Sequence, residues 1–255
     1  MVVIKPPPPA PWAQAAEFFQ LRVVEETLVV AFRRPRCVLS WAIVNGGMRT
    51  HASHIVNRHV DERTANHDPG KTLRQSARTL GIKGTFVGMM TGADVRRFSM
   101  AKAVHDELAA YAIATAGCSN LATAGEPGAY VERRPAKVKV GTINLIVLVN
   151  YGFTDEGMIE AVAIATEAKV RAVQELELRS VATGQPATGT GTDCIALAVG
   201  HHRHYSFCGK HTKWGELIGR ACFESVRGAL RSALARGTSK SAKSSRLLET
   251  TLSGK

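Results

Sequence analysis

The stretch VAIATEAKVRAVQELELRSVATGQPATGTGTDCIALAVG, residues 162–200, contains the elements that decide the fold: a helix, a polar loop and an apolar strand in succession. The helix is predicted because apolar residues recur at intervals of three and four, which is typical of one buried helical face. On a helical wheel Glu167 and Lys169 lie on opposite flanks of this face, so neither side chain needs to be fully solvated. The apolar positions are Ile159, Val162, Ala163, Val170, Val173 and Leu176.

A loop rich in glycine and threonine follows the predicted helix and ends at Asp193. Such a loop exposes backbone N–H groups and hydroxyls at close range to a ligand, which predicts a polar-ligand or catalytic loop. It is not a phosphate loop of the ATP-binding type, because no Lys-Ser/Thr pair follows the glycines. The alternative is a flexible surface connection before a strand, since Gly/Thr loops are common. The loop residues are Gly184, Thr188, Gly189, Thr190, Gly191 and Thr192.

The rest of the chain predicts a sheet covered by helices. Segment 141–149 is apolar on both faces, which predicts a central strand that is covered on both sides. Helices are predicted to begin after Asp68, which precedes a proline, at Asp155 and after Thr212. We therefore predict a single α/β domain in which a mixed sheet of about six strands packs with three main helices. The six strands are expected at 21–32, 37–44, 85–91, 107–116, 141–149 and 193–199.

Composition predicts one domain between two flexible ends. Residues 1–20 are Pro-rich and flexible, 21–237 form the domain, and 238–255 form a disordered basic tail. Five cysteines without a CxxC pair indicate a reducing compartment rather than a disulfide framework. The N-terminus lacks the apolar core of a signal peptide, and the apolar run at 143–149 is too short to span a bilayer. A cytoplasmic location without a membrane partner is therefore expected.

The net charge of +12 raises the question of a nucleic-acid partner. The tail contributes +3, and the other basic residues are scattered, with small clusters at 33–36 and 133–139. No stretch interleaves basic and aromatic residues as a single-strand platform would, and aromatic residues make up only 6% of the chain. The charge is therefore assigned to solubility and to attraction for an anionic group such as a phosphate, and no nucleic-acid partner is predicted.

A group of histidines and one cysteine precedes the last helix. The Cys208-x-x-His211 spacing is compatible with a metal, but structural zinc sites usually contain paired ligand elements and only one cysteine is present here. Solvated loop histidines are the favoured interpretation, and no metal is predicted. His211 differs because Lys210 precedes it and a capped helix follows, a setting that suits anion binding or acid–base chemistry. The group consists of His201, His202, His204, Cys208 and His211.

Three asparagines and one aspartate are further candidates. Asn144 lies inside a buried strand and needs hydrogen-bond partners, either in neighbouring backbone or in a site at the strand end. Asn45 precedes two glycines, so plain turn chemistry is an alternative explanation for it. Asn57 has no local signal of its own. Asp193 either caps its loop by a hydrogen bond or presents its carboxylate to a ligand.

Nine segments, taken together, resemble the CbiZ family, the adenosylcobinamide amidohydrolases of corrinoid salvage. The resemblance covers roughly residues 22–233, and its specificity comes from the order of the segments rather than from any one of them. The segments are VLSWAIVNGG at 38–47, HIVNRHV at 54–60, DPGKTLRQSARTLGI at 68–82, VGMMTGADVRRF at 87–98, ATAGCSNLATAGEP at 114–127, GTINLIVLV at 141–149, ATEAKVRAV at 165–173, ATGTGTDCIALA at 187–198 and FCGKHTKWGELIG at 207–219.

The resemblance implies hydrolysis of the amide that joins a corrin-ring propionate to aminopropanol or its phosphate, with adenosylcobyric acid as the product. The corrinoid is then the substrate, and no cofactor is expected. That chemistry needs proton transfer and donors for an oxyanion, which the backbone of the loop could supply. The catalytic candidates are Glu167, His211 and Asp193. The candidates for substrate binding are Asn45, Asn57, Asn144, Lys169, Thr190 and Lys210.

Two other functions stay open at this point. The chain could be a corrinoid- or tetrapyrrole-binding protein that has kept the fold without catalysis, or a basic protein associated with nucleic acid. The spacing Gly215-x-x-x-Gly219 on the last helix also allows a close helix contact in a homo-oligomer.

Overall fold

The computed structural model describes residues 3–5, 13–15, 17–61, 68–128, 141–201 and 204–252, with side chains described only from 17 to 235 within these ranges. The three α-helices are α1 (Pro69–Thr79), α2 (Asp155–Glu175) and α3 (Lys213–Leu252). The strands are β1 (Val3–Lys5), β2 (Ala13–Ala15), β3 (Phe19–Val24), β4 (Thr27–Ser40), β5 (Gly47–His59), β6 (Phe86–Thr91), β7 (Ser99–His105), β8 (Leu108–Ala116), β9 (Leu121–Ala122), β10 (Ile143–Val149), β11 (Gly152–Phe153), β12 (Gly189–Thr190), β13 (Cys194–Val199) and β14 (His204–Tyr205).

Ten of the described strands form one mixed sheet in the order β1-β7-β8-β10-β13-β4-β3-β2, and β5 pairs with both β4 and β6. Strand β4 is long enough to pair with β3 and then with β13 along one edge, while β5 pairs along its other edge. The fold is α/β with three helices, as the sequence predicts, but its sheet has ten strands instead of about six.

The centre of the sheet is the parallel pair of β10 and β13, which are joined through α2. Every residue of β10 and of β13 is buried, which confirms the prediction of a strand covered on both faces. Parallel neighbours need a crossover connection, and the helix supplies it here. As a result, the loop that precedes β13 and the start of β10 meet at the same end of the sheet.

Two hydrophobic cores lie on the two faces of this sheet. Leu145 and Val147 point to the face covered by α2 and α3, whereas Ile146 and Leu148 point to the core shared with β3, β4, β5 and β6. Successive side chains of a strand point to opposite faces, so one apolar strand serves both cores. Strand β10 is therefore held along its length between two packed layers.

Part of the predicted strand pattern is wrong. The first hairpin turns at Glu25-Glu26, with Glu25 at a φ of +51°, and not at the RRPR sequence. Strand β4 continues through Arg33 to Arg36, with register shifts on both sides of Arg36. The irregular pairing with β5 accommodates the proline and the arginines, so a sequence typical of a turn lies within a strand.

The predicted starts of all three helices are confirmed. The Asp68 carboxylate accepts from Lys71 N, and the hydroxyls of Thr154 and Thr212 accept from the backbone N–H groups three residues on. Residues with short polar side chains at these positions satisfy amides that the helix leaves without partners. These signals are local, which explains why they can be identified in the sequence.

The predicted buried face of α2 is wrong at two of its six positions, and it omits most of the residues that are buried. Ile159 is 64% exposed and Ala163 is also exposed, whereas Lys169 is buried and Glu167 is exposed. The helix packs against both the sheet and α3, and small residues form that contact because they allow close approach. The buried residues are Gly157, Met158, Ala161, Ile164, Ala165, Ala168, Lys169, Ala172 and Val173.

The structure describes more of the C-terminal end of the chain than of the N-terminal end. Helix α3 runs to Leu252 and thus extends over most of the segment predicted as a disordered tail. Most of the Pro-rich start, the basic cluster at 133–139 and His202 lie outside the described residues. No helix in the described part of the chain is both long and apolar enough to cross a bilayer.

Candidate functional site

The Gly/Thr loop forms one wall of a cavity of about 560 Å³ at the end of the sheet where β10 and β13 begin. Pairing of β12 with β9 holds the loop in place, so it is not a freely moving connection. Thr188 Oγ1 accepts from Ala124 N at 2.9 Å and attaches the loop to the opposite wall. The lining residues are Trp41, Ala122, Thr123, Ala124, Lys169, Thr188, Gly189, Thr190, Gly191, Thr192 and Asp193.

The carboxylate of Asp193 is the centre of the polar contacts in this cavity. Lys169 Nζ donates to its Oδ2 in a short ion pair. The Thr190 hydroxyl donates to Oδ1 at 2.6 Å, and Ile143 N donates to the same oxygen at 3.0 Å. The amide of Thr190 adds a further contact at 3.2 Å. These donors hold the carboxylate in a fixed orientation.

The ion pair is largely removed from water, since 11% of the Lys169 side chain and 10% of the Asp193 side chain are exposed. Lys169 reaches the cavity from the small-residue face of α2, where few large side chains compete for space. A Cβ on Gly189 would collide with the carboxylate and would lie 2.7 Å from Lys169 Nζ. Glycine at 189 is therefore a condition for the pair, and removing either charge leaves the other buried alone.

Two threonine hydroxyls fix the position of the loop relative to the residues before β10. Thr142 Oγ1 donates to Thr192 O at 2.6 Å, and Thr192 Oγ1 donates to Gly141 O at 2.9 Å. These two reciprocal bonds connect the loop to the residues that lead into β10. The position of Asp193 relative to β10 is thus set by side-chain as well as backbone contacts.

The backbone N–H groups of the loop are mostly engaged in internal bonds. Thr188 N donates to Ala122 O, Gly191 N to Asn120 O, and Thr192 N to Thr190 Oγ1. Together with the Thr190 amide on Asp193, these contacts use four of the donors that the sequence suggested for an oxyanion. In contrast, Lys169 Nζ has three N–H groups and uses one of them on Asp193, so it is the better placed donor to the cavity.

Trp41 stands at the mouth of the cavity and was not identified as a site residue from the sequence. Its Nε1 donates to Asp193 O at 2.7 Å while 52% of the residue is exposed. Ile43, in the same connection between β4 and β5, is also 52% exposed. An exposed tryptophan held in place by its N–H presents a flat apolar surface to a ligand. The exposure of Trp41 is what marks it as a site residue, and exposure cannot be predicted from the sequence alone.

Asn57 and Asn144 lie together under the site but do not line the cavity. They are 2% and 1% exposed, and Asn144 Nδ2 donates to Asn57 Oδ1 at 2.8 Å and to Met90 O at 2.9 Å. Asn57 Nδ2 donates to Thr115 Oγ1 at 2.9 Å. Both amides are therefore partnered inside the core, which agrees with the bridging alternative for Asn144.

Asn45 lies in a turn. Its backbone has a φ of +56°, and its Nδ2 donates to Phe86 O at 2.8 Å. Asparagine tolerates this left-handed conformation better than most residues. These contacts agree with the alternative of turn chemistry.

Glu167, Lys210 and His211 form a different part of the surface. Glu167 and Lys210 pair at 2.6 Å with side chains 54% and 69% exposed, and His211 is also exposed. The pair lines a groove of about 380 Å³ between α2 and α3, together with Arg171 and Glu216. The structure thus brings Asp193, Lys169 and Thr190 together and does not bring Glu167 or His211 to them.

Metal-ion chemistry and thiol chemistry have little support at this cavity. In the part of the chain that the structure describes, no group of three or more His, Cys, Asp and Glu side chains is arranged to hold a metal ion. Cys194 follows Asp193 directly, but burial raises the pKa of its thiol to about 11, so it stays protonated near neutral pH. The reactive groups at the cavity are therefore a carboxylate, an ammonium and hydroxyls.

Comparison with known proteins identifies the family of this chain. The sequence model of the CbiZ family, described as adenosylcobinamide amidohydrolase, matches residues 12–238. An uncharacterized protein of Methanocaldococcus jannaschii is 33% identical over 82% of this chain and 88% of its own length. A protein of Methanosarcina mazei named adenosylcobinamide amidohydrolase is 24% identical over 73% of this chain and 86% of its own length. The chain belongs to the CbiZ family of adenosylcobinamide amidohydrolases.

Proposed function

We propose that this chain hydrolyses the amide between a corrin-ring propionate and aminopropanol, or its phosphate, in adenosylcobinamide. The observation that carries the proposal is the buried ion pair of Lys169 and Asp193, with the Thr190 hydroxyl 2.6 Å from the carboxylate, in an open cavity. Family membership supplies the substrate class. The geometry supplies groups whose chemistry suits an amide.

The first chemical step assigns a nucleophile and a base. The Thr190 hydroxyl attacks the amide carbon and passes its proton to Asp193 Oδ1, the acceptor with which it is already hydrogen-bonded. The Asp193 carboxylate is the base of this step. It receives the proton as the hydroxyl adds to the carbonyl carbon, because the hydroxyl becomes strongly acidic on addition.

Lys169 has two roles in this proposal. Its ammonium fixes the Asp193 carboxylate, and its remaining N–H groups are available to the oxygen that becomes negative when the tetrahedral intermediate forms. The proton held by Asp193 then leaves with the amine, which gives aminopropanol and an acyl group on Thr190. Water hydrolyses that ester in the second half of the reaction and releases the corrinoid acid.

The size of the cavity indicates how the substrate enters. A volume of about 560 Å³ falls in the range that holds a drug-sized ligand, whereas an adenosylated corrinoid is much larger. The amide-bearing arm therefore enters the cavity and the macrocycle stays outside it. Exposed Trp41 at the mouth offers the macrocycle a flat apolar contact.

Incubation of the purified chain with adenosylcobinamide tests the proposal. Mass analysis is expected to detect adenosylcobyric acid and free aminopropanol, and a parallel titration followed by corrinoid absorbance measures binding. Binding without any product would reject hydrolysis and favour a corrinoid-binding protein that lacks catalysis. The absence of both would reject a corrinoid function.

A further inference from the structure

A second cavity of about 590 Å³, the arginine cavity, lies where β10 and β13 end. Arg33, Arg34 and Arg36 of β4 line it, together with His201 after β13. Two carboxylates, those of Glu17 and Glu107, also border it. Among the described residues, none of the three arginines forms an ion pair with a carboxylate, so their charges are not neutralised within the site.

The arginine cavity is separate from the site of Asp193. Asp193 contacts Ile143 N, the first residue of β10, whereas Arg36 Nη1 donates to Val149 O, the last one, at 2.8 Å. Seven strand residues span roughly 20 Å at ~3.3 Å per residue. An aminopropanol arm is much shorter than this separation, so one bound arm does not occupy both cavities.

Arg36 gives the arginine cavity its distinctive chemistry. The residue is only 6% exposed, and its guanidinium carbon lies 4.1 Å from the centre of the Phe18 ring. In the described structure its Nη1 bonds Val149 O, and the other guanidinium nitrogens have no protein acceptor. Burial penalises the charged form of Arg36 and lowers its pKa to about 10. A bound anion would relieve this cost.

The local fold explains how three arginines reach one cavity. The pairing of β4 with β5 shifts register between Ala31 and Arg36 and again between Arg36 and Val38. This irregularity turns Arg36 into the protein while Arg33 and Arg34 stay exposed at the rim. The carboxyl end of a parallel strand pair is also the place where ligands commonly bind in α/β sheets.

We propose that the arginine cavity binds the phosphate group of a small phosphorylated molecule, independently of the corrinoid site at Asp193. Guanidinium groups match phosphate oxygens in pairs, and a dianion compensates more than one of these cations. The volume exceeds what inorganic phosphate alone fills, which leaves room for the organic part of a phosphate ester. The shared chemistry is a phosphate dianion, whether free or esterified.

Isothermal titration calorimetry of the full chain at low ionic strength tests this proposal with inorganic phosphate, aminopropanol phosphate and AMP as separate probes. The double variant Arg33→Gln/Arg34→Gln should weaken phosphate binding by about tenfold or more for each arginine lost. The matched control is Arg74→Gln/Arg78→Gln on α1, which removes the same charge from exposed positions and should bind as the unaltered chain does. Tighter binding of one ester than of phosphate identifies the source of the ligand.

Two further measurements keep the proposal falsifiable. Arg36→Met should abolish phosphate binding, with circular dichroism as the check on folding, and Asp193→Asn should leave phosphate binding unchanged. Equal weakening in the α1 control and the cavity variant would overturn the proposal, because it would show a general effect of charge. The proposal would also be overturned if the unaltered chain bound none of the three probes, or bound adenosine as tightly as AMP. Loss of corrinoid hydrolysis does not affect any of these outcomes.

Discussion

Thr190 and Asp193 are close enough for direct proton transfer, and the role of the hydroxyl can be separated from its place in the loop. Thr190→Val removes the hydroxyl and keeps the shape, and we expect turnover of adenosylcobinamide to fall by about 100-fold or more. Thr190→Ser keeps the nucleophile and should retain much of the activity. The rates are measured by product release under saturating substrate. Equal loss in both variants would assign Thr190 a structural role only.

Substitution of Glu167 tests whether the groove between α2 and α3 takes part in catalysis. Its carboxylate pairs with Lys210 in solvent, and exposed ion pairs contribute little to stability. We expect Glu167→Gln to keep near-normal turnover and an unchanged melting temperature. A large fall in turnover at constant melting temperature would contradict this expectation and would assign the acid–base chemistry to the groove between α2 and α3.

At the scale of single residues, Asp193, Lys169 and Thr190 were candidates from the sequence, and the structure brings them to one cavity. The Gly/Thr loop was the local signal for Thr190 and Asp193. The separate position of Glu167 was not predictable, because the helical wheel was built on large apolar residues while small residues carry the real contact of α2. Trp41 was missed because its exposure depends on the path of β4 and β5.

At the scale of elements, two glycines of α3 should respond in opposite ways to the same substitution. A Cβ on Gly215 would lie 2.7 Å from Cys208 O and would also collide with Gly209 O, so Gly215→Ala should cost about 1–3 kcal/mol of unfolding free energy. A Cβ on Gly219 would lie 3.6 Å from Ile164 Cγ2, an ordinary contact. Gly219→Ala should therefore stabilise by about 0.5–1 kcal/mol.

Urea unfolding of both variants measures this difference, and Gly219→Ala serves as the control for the change in helix propensity. Similar stabilisation in both variants would show that Gly215 does not permit the close contact with the segment before α3. The comparison also bears on the predicted homo-oligomer. If the two glycines formed a helix contact between copies, Gly219→Ala would weaken association instead of stabilising the fold.

Elements with local signals were predictable, and elements defined by distant partners were not. Helix starts at Asp68 and Thr212 depend on a cap a few residues away, and the apolar run of β10 identifies a buried strand. Strand β5 was missed because its sequence, GMRTHASHIVNRH, is mostly polar and its stability comes from pairing with β4 and β6. Tertiary pairing overrides such weak local preferences.

At the scale of the whole molecule, buried thiols predict a loss of stability at alkaline pH. Burial raises the pKa of Cys194 to about 11, that of Cys208 to about 12, and that of Cys222 further still. Above an ordinary thiol pKa of about 8.5, the unfolded chain loses protons that the folded chain retains. Stability is therefore fully present below this pH and falls as pH rises toward 11, by about 1.4 kcal/mol per pH unit for each thiol.

Urea unfolding between pH 8 and pH 10 in the presence of a reductant measures this slope. Cys194→Ala and Cys208→Ala should each make the slope shallower, whatever they do to stability at pH 8. A slope that is unchanged in both variants would mean that other groups determine the alkaline loss.

The α/β class was predictable because strands and helices alternate after residue 141. The ten-stranded sheet was not, since five of its strands lie in the first 60 residues, and two of these, β1 and β4, pair with strands far along the chain. The arrangement that matters for function follows from β10 and α2. The crossover places Asp193 at one end of β10 and Arg36 at the other. Neither juxtaposition can be read from a local pattern.

The most direct test of the catalytic site is a single-turnover experiment with Asp193→Asn, in which corrinoid binding and product formation are measured on the same sample. Because removing the carboxylate leaves Lys169 buried and unpaired, the double variant Asp193→Asn/Lys169→Met serves as the folded control. We expect both variants to bind adenosylcobinamide while formation of adenosylcobyric acid falls by about 100-fold or more. Product formation at the unaltered rate in a folded variant that lacks Asp193 would contradict the assignment of catalysis to this cavity.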